Sequence, residues 1–340
     1  MDASRIAILC NPYAGSGREQ VFHLTRQAFA CLRSQVAEIL VGPAEMGAVV
    51  CQGDNVTVVG QDHTRSRWDT IETTKQMVAR GAEFFVVVSG DGTYNDVVAG
   101  MKAMGVTLPI LGIAAGRFNT IFPKRKHDPF VSIRGDFRPF ALADLSVEDV
   151  MGLVSRVNGT IVSYGFFWAV VCNALAYTDI DGTFMTIDAA QFLQGRLVPR
   201  ATPFPVATEA TRITLVSRTL GDVEMASGAN MALPMVAHIV DELNQIVAGG
   251  FGTLANIMGY HGVAYVFTNP NITFMPTAEF FPVEMKAVGF YEGDCMRYTG
   301  LHNGAVFQVD STPICELTSD DVLTVEIVRS LGKKMVIHTS

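Results

Sequence analysis

Residues 83–92, EFFVVVSGDG, run an unbroken apolar, β-branched stretch into two glycines that bracket an aspartate, and the helix-compatible YNDVVAGMKAMG follows at once. A strand that is apolar on both faces must be covered on both, which requires a parallel sheet between helical layers. The flanking sequence repeats the unit. RIAILC (5–10) precedes the turn NPYAGSG, and the next stretch carries apolar residues at 21, 22, 24, 28, 29 and 32, near the helical period. AEILVG (37–42) and NVTVVG (55–60) read as further strands, DTIETTKQMVARG (69–81) as a helix, and LPILGIAA (108–115) as another buried strand. The expectation is an α/β fold whose strands alternate with helices, an architecture of the nucleotide-binding type.

The texture changes near residue 140. LADLSVEDVMGLVSRVNG predicts a helix leading into strands. TIVSYGFFWAVVCNALAY, TRITLVS, VEMASGANMA, GVAYVFTN, EMKAVGFYEG, CMRYTGLH, AVFQVDS and VLTVEIVRS then follow as short, turn-bounded strands, with MVAHIVDELNQIVAGG (235–250) as the main helical interruption. At roughly 150 residues per domain, 340 residues give about two domains. We divide them as 1–140, the nucleotide-binding α/β domain, and 141–340, a β-rich substrate domain.

Composition excludes several classes. With 49% hydrophobic and 17% charged residues and a mean hydropathy of +0.28, the chain is not disordered. The best membrane candidate, GFFWAVVCNALAY (165–177), falls short of the roughly 18 apolar residues needed to span and contains an asparagine. The N-terminal MDASRIAILCNP shows no signal peptide, and a cytoplasmic location is expected. A net charge of −8 argues against nucleic acid as partner, KRKH (124–127) being too small a patch. The six cysteines lie singly and the seven histidines have no i, i+4 pairing, so no disulfide framework and no helical metal site is indicated.

Four segments could carry chemistry. In VVVSGDGTYNDVVAG (86–100), Ser89 ends the strand, and Gly90 and Gly92 allow close approach of a phosphate to the first amides of a helix. Asp91 would stand at the carboxyl end of a parallel strand, placed for metal binding or proton abstraction. The plainer alternative is a strand-to-helix turn with Thr93 as N-cap and Asp91 solvated. CNPYAGSG (10–17) offers Asn11, Gly15, Ser16 and Gly17 before a helix, without the Gly-Lys-Ser/Thr of a P-loop. LGIAAGRFNTIFP (111–123) brings Gly116, Asn119 and Thr120, with Arg117 either gripping a phosphate or covering the surface. FQVDSTP (307–313) ends in Asp310, Ser311 and Thr312 before a proline, by itself an ordinary turn.

Taken in order, N-P-x-x-G-x-G, S-G-D-G-T-x-N-D-V and the L-G-I-A-A-G turn resemble the superfamily of diacylglycerol kinases, sphingosine kinases and NAD kinases. The whole-chain layout looks most like the NAD-kinase-like proteins found with acetoin catabolism genes. The resemblance implies a Rossmann-like N-terminal domain, a β-sandwich C-terminal domain, and catalysis in the cleft between them. It also implies ATP or another nucleoside triphosphate and Mg²⁺ as cofactors. Asn11, Gly15, Gly17, Ser89, Gly90, Gly92, Thr93, Asn95, Gly116, Arg117, Asn119 and Thr120 would then serve the nucleotide, with Asn95 and Asp96 supporting the helix. Asp91 corresponds to the family's central aspartate, as catalytic base or Mg²⁺ organiser. Asp96, Asn173 and Asp310 are the candidates on the substrate side.

Four departures leave the acceptor open. Ser89 replaces the first glycine of G-G-D-G-T, as in sphingosine kinases. G-R-F-N at 116–119 puts Arg117 and Phe118 where small residues usually meet phosphate, and Asp310-Ser311-Thr312 stands where lipid kinases carry D-G-E. The NAD-kinase Asn-acid pair is matched only by Asn173-Ala174. The first expectation is an ATP-dependent, NAD-kinase-like kinase of a small hydroxylated molecule, NAD among the substrates, working as a homo-oligomer and as a dimer first. The alternatives are a lipid kinase and a nucleotide-binding sensor without catalysis.

Overall fold

The computed structural model describes residues 3–61, 66–116, 124–125, 128–132, 139–166, 168–178, 184–199, 206–228, 237–238, 247–248, 251–255, 262–267, 285–310 and 312–337. The chain divides into two compact units, 1–150 with 330–340, and 151–329. The change of texture at residue 140 lies inside the first segment of the first unit.

The first unit contains β1 (Arg5–Cys10), α1 (Arg18–Leu32), β2 (Glu38–Val41), β3 (Val56–Val58), α2 (Arg67–Ala79), β4 (Phe84–Ser89), α3 (Asp91–Ala103) and β5 (Pro109–Ala114), followed by a short hairpin of β6 (Lys124–Arg125) and β7 (Asp128–Ser132). The sheet order is β5-β4-β1-β2-β3, all parallel. Every residue of β4 is buried, as a strand covered on both faces requires. Its Phe84, Val86 and Val88 share one core cluster with Ile6, Ile8, Val21, Leu24, Ala28 and Leu32. The chain leaves β1 toward β2 and β3 and returns to place β4 on the other side. The switch in strand direction therefore falls between β1 and β4, where open parallel sheets bind ligands at their carboxyl ends.

The second unit is strand-rich. Its elements are the end of β8 (Leu145–Val157), β9 (Thr160–Gly165), β10 (Trp168–Cys172), β11 (Ala174–Thr178), β12 (Phe184–Asp188), the short α4 (Ala189–Leu193), β13 (Ala207–Ser217) and β14 (Gly221–Ser227). They continue with β15 (Ala237–His238), β16 (Val247–Ala248), β17 (Phe251–Ala255), β18 (Gly262–Phe267), β19 (Met285–Phe290), β20 (Cys295–Leu301), β21 (Ala305–Val309), β22 (Thr312–Leu317) and the first part of β23 (Leu323–Ile337). One sheet runs β14-β13-β20-β23 and the other β19-β18-β17-β10-β21-β22. Ile213, Leu215, Met296, Tyr298 and Val325 from the first join Ala169, Val171, Phe307 and Val309 from the second in one core, so the two sheets pack as a sandwich. The end of β23 belongs to the first unit, where Lys333 and Lys334 pair in parallel with Pro109 and Ile110 of β5.

Three expectations are corrected. The helix predicted over 142–159 is a single 3-10 turn, Leu142–Asp144, followed by β8, which pairs antiparallel with β9 through Val154 and Tyr164. Thr312, read as a turn residue, begins β22. Of the predicted helix over 235–250, Ala237–His238 and Val247–Ala248 pair as strands, and the rest lies outside the described residues.

Candidate functional site

The site is built where β1 and β4 end side by side. The Asn11 N–H donates to the Val88 carbonyl at 3.1 Å, and its Nδ2 reaches across to Thr93 Oγ1 at 3.0 Å. Its Oδ1 accepts from the Tyr13 N–H at 3.0 Å, which curls the chain into the following turn. One asparagine thus ties the N-P-x-x-G-x-G turn to the S-G-D-G-T turn. The third turn is tied on by Ser16, whose N–H and hydroxyl both donate to the Ala115 carbonyl, at 2.9 Å and 2.7 Å. The Ser89 carbonyl accepts from Ala115 N at 2.8 Å and Gly116 N at 3.1 Å. Asn11, Gly15, Gly17, Ser89, Gly90, Asp91, Gly92, Thr93 and Gly116 are thereby gathered at one edge of the sheet. Arg117, Asn119 and Thr120 lie outside the described residues.

Two helices open onto this edge. α1 starts after Gly17, whose φ of 86° needs glycine, and α3 starts after Gly90; neither has a side-chain cap. Gly90, not Thr93, is the N-cap of α3, and Asp91 is its first residue, only 4% exposed. A buried carboxylate at a helix N-terminus is held by the positive end of the helix dipole. Tyr94 is packed beside it, and burial together with the charge of Asp91 pushes its phenol well above the usual range. Amide-lined turns at two helix N-termini form an anion site suited to phosphate.

Asp96 and Asn95 are buried on α3. Asp96 is committed elsewhere than the turn, for its Oδ1 accepts from Arg67 Nε of α2 at 3.0 Å. Burial pushes its carboxyl up to about 7, with the Arg67 guanidinium opposing the shift. Arg67 escaped the sequence reading because the pair spans 29 positions, and nothing in the local sequence RSRWDT marks a partner. Two further residues border the first turn. Arg18 forms an ion pair with Glu45, and the Tyr13 hydroxyl donates to Glu45 Oε2 at 3.2 Å. Cys10 ends β1 beneath them, but burial pushes its thiol up to about 12, which removes it as a nucleophile.

In the second unit, Asn173 is buried after β10, and its carbonyl accepts from Ala189 N at 3.2 Å. Asp310 sits at a positive φ of 47°. Its Oδ2 accepts from Phe166 N at 2.7 Å and its Oδ1 from Trp168 N at 2.8 Å, so each oxygen engages the β9–β10 connection.

Among the described residues, no group of three or more His, Cys, Asp or Glu could hold a metal alone. A magnesium ion needs less, since one or two carboxylates and the phosphates of a nucleotide complete its shell, and Asp91 fits that donor set.

The first unit is a parallel α/β domain whose three turns are joined at the carboxyl ends of its strands, and the second is a β-sandwich. Residues 6–126 match the family of the ATP-NAD kinase N-terminal domain. Among solved structures, a diacylglycerol kinase from Bacillus anthracis str. Sterne is 11% identical, with 99% of this chain and 97% of that one covered and a TM-score of 0.49. A second structure of that kinase class from the same organism is 11% identical over 100% and 99% of the two chains, TM-score 0.50. Yeast NADH kinase complexed with NADH is 10% identical over 100% and 84%, TM-score 0.48. At such identities the likeness is one of fold. No curated protein matches the sequence. Residues 6–126 are thus similar to the N-terminal domain of ATP-NAD kinases, and over the whole chain the likeness is to the fold of the diacylglycerol kinase structure.

Proposed function

We propose that the protein is an ATP-dependent phosphotransferase acting on a hydroxyl of a small molecule, with a nicotinamide dinucleotide as the first acceptor to test. The reading is carried by the Asn11–Thr93 hydrogen bond, which joins two glycine turns at the strand switch point, with Asp91 buried at the second of them. Backbone amides at the N-termini of α1 and α3 would hold the phosphates, which a chain of net charge −8 cannot do with a basic surface. Asp91 would accept the acceptor hydroxyl's proton or hold Mg²⁺, which supplies neutralisation of charge on the transferring phosphoryl group. Arg117, Asn119 and Thr120 are proposed to extend the phosphate grip. Asn173 and Asp310 are proposed on the substrate side, Asp310 through the connection it holds. No helix among the described residues is long and apolar enough to cross a membrane, and we propose a cytoplasmic homodimer.

The test is ADP release from Mg-ATP against a panel of NAD, NADH and diacylglycerol vesicles, with wild type and Asp91→Asn. Loss of about 10²-fold or more in turnover is expected for the variant, the usual contribution of a positioned proton acceptor. Full ADP release by Asp91→Asn would remove Asp91 from the chemistry. A wild type that binds ADP but turns over no acceptor would make the protein a sensor.

A further inference from the structure

Helices α2 and α3 pack closely, and two of their contacts bear on where the phosphate turn stands. At Gly100 the backbones approach so closely that a Cβ there would lie 2.7 Å from the Thr74 Cβ and 2.8 Å from the Ile71 carbonyl oxygen. One turn nearer the site, on the same face of α3, Asp96 receives Arg67 Nε at 3.0 Å, with the two side chains 10% and 20% exposed respectively. Arg67 is the first residue of α2 and is itself fixed by the reciprocal cap of Ser66 and Asp69, Ser66 N lying 2.9 Å from Asp69 Oδ2. Its guanidinium also faces the ring of Trp68, 5.7 Å from the centroid.

The two contacts do different things. The Gly100 contact sets the distance between the helices, but a glycine has no side chain to stop α3 from rolling about its axis. The ion pair does, because it lies off that axis and joins two groups that are held in place. Asp91 is five residues from Asp96 on one helix, about 7–8 Å along the axis, so a roll at Asp96 moves the turn as a rigid body.

We propose that Arg67 is a positioning residue for the phosphate turn: its ion pair with Asp96 fixes the rotation of α3, and with it the places of Asp91 and of the Gly92 and Thr93 amides. A buried ion pair is a weak source of stability but a good source of register, which is the role assigned here. The consequence for nucleotide affinity rests on the phosphotransferase reading above; the consequence for the order of the α3 N-terminus does not.

The experiment compares full-length wild type, Arg67→Met, Arg67→Lys and Asp96→Asn by amide hydrogen exchange, by melting temperature and by Mg-ADP affinity at pH 8. In Arg67→Met, exchange at residues 94–98, the first amides bonded within α3, should rise about tenfold or more, as expected of a locally opened segment, while residues 84–88 of β4 stay protected. Mg-ADP should bind about tenfold more weakly, equivalent to about 1.4 kcal/mol. Arg67→Lys should restore most of both, because it returns the charge, and Asp96→Asn should resemble Arg67→Met. If Arg67→Met does not fold, Arg67→Lys and Asp96→Asn carry the comparison. Unchanged exchange at 94–98, or equal affinity in Met and Lys variants despite different melting temperatures, would overturn the proposal. A wild type that fails to bind Mg-ADP would defeat the phosphotransferase reading, and the exchange data would still decide the role of Arg67.

Discussion

Asp310→Asn separates a structural carboxylate from a substrate ligand. Both oxygens of Asp310 accept backbone N–H groups, from Phe166 at 2.7 Å and Trp168 at 2.8 Å, and the residue is 5% exposed. An amide offers one acceptor oxygen, so one of the two N–H groups would face an NH₂ donor with little water to replace the bond. Losing a hydrogen bond to a charged acceptor and leaving a buried donor unmet costs about 2–4 kcal/mol. Asp310→Gly would relieve the positive φ of 47°, worth about 1–2 kcal/mol for an L-residue, yet it removes both acceptors and should be no more stable than the asparagine variant. Urea unfolding followed through tryptophan fluorescence, to which buried Trp168 and exposed Trp68 both contribute, measures the loss of stability. A change below about 0.5 kcal/mol, the range of ordinary surface substitutions, would refute the clamp. If turnover then fell at unchanged stability, Asp310 would be a substrate ligand.

Three further outcomes are expected. Gly100→Ala gains about 1 kcal/mol of helix propensity, but its Cβ would press on the Ile71 carbonyl at 2.8 Å; overpacking of about 1–3 kcal/mol should win, and a raised melting temperature would show that α2 and α3 part freely. Burial lifts the Asp96 carboxyl from 3.8 to about 7, so the folded protein keeps a proton that the unfolded chain has released, and this group's contribution to stability falls as pH rises from about 4 to about 7 and is level above. Asp96→Asn should flatten that slope in urea midpoints taken across the window, and an unchanged slope would assign it to other groups. Asn11→Ala loses the bonds to Thr93 and Tyr13, about 1 kcal/mol each, and should weaken Mg-ADP about fivefold by calorimetry; wild-type affinity would show that the two turns hold their places without the link.

The limits of the sequence reading are visible in particular elements. LSVEDVMGLVSRV carries apolar residues at 147, 150, 151, 154 and 157, a helical spacing, yet it forms β8 because β9 pairs with it from Leu153 to Val157. Such a stretch suits either state, and the partner decides. The glycine turn was legible, but its helix is capped at Gly90 and buries Asp91, whereas the plainer of the two readings of the sequence had a Thr93 cap and a solvated acid.

What the sequence determined by itself is what depends on neighbours in the chain. The unbroken apolar run of β4, the apolar period of α1 and the glycines that follow β1 and β4 specify strands, helices and phosphate-sized turns through period and backbone freedom alone. Tertiary structure decided which turns face one another. Asn11 meets Thr93 only because the crossover sets β4 beside β1, Asp96 turns to Arg67 because α2 packs on α3, and Asp310 meets Phe166 and Trp168 because β21 lies beside β10. These pairs are separated by 82, 29 and more than 140 positions. Strand order and burial bring such groups together, and neither is written in local composition.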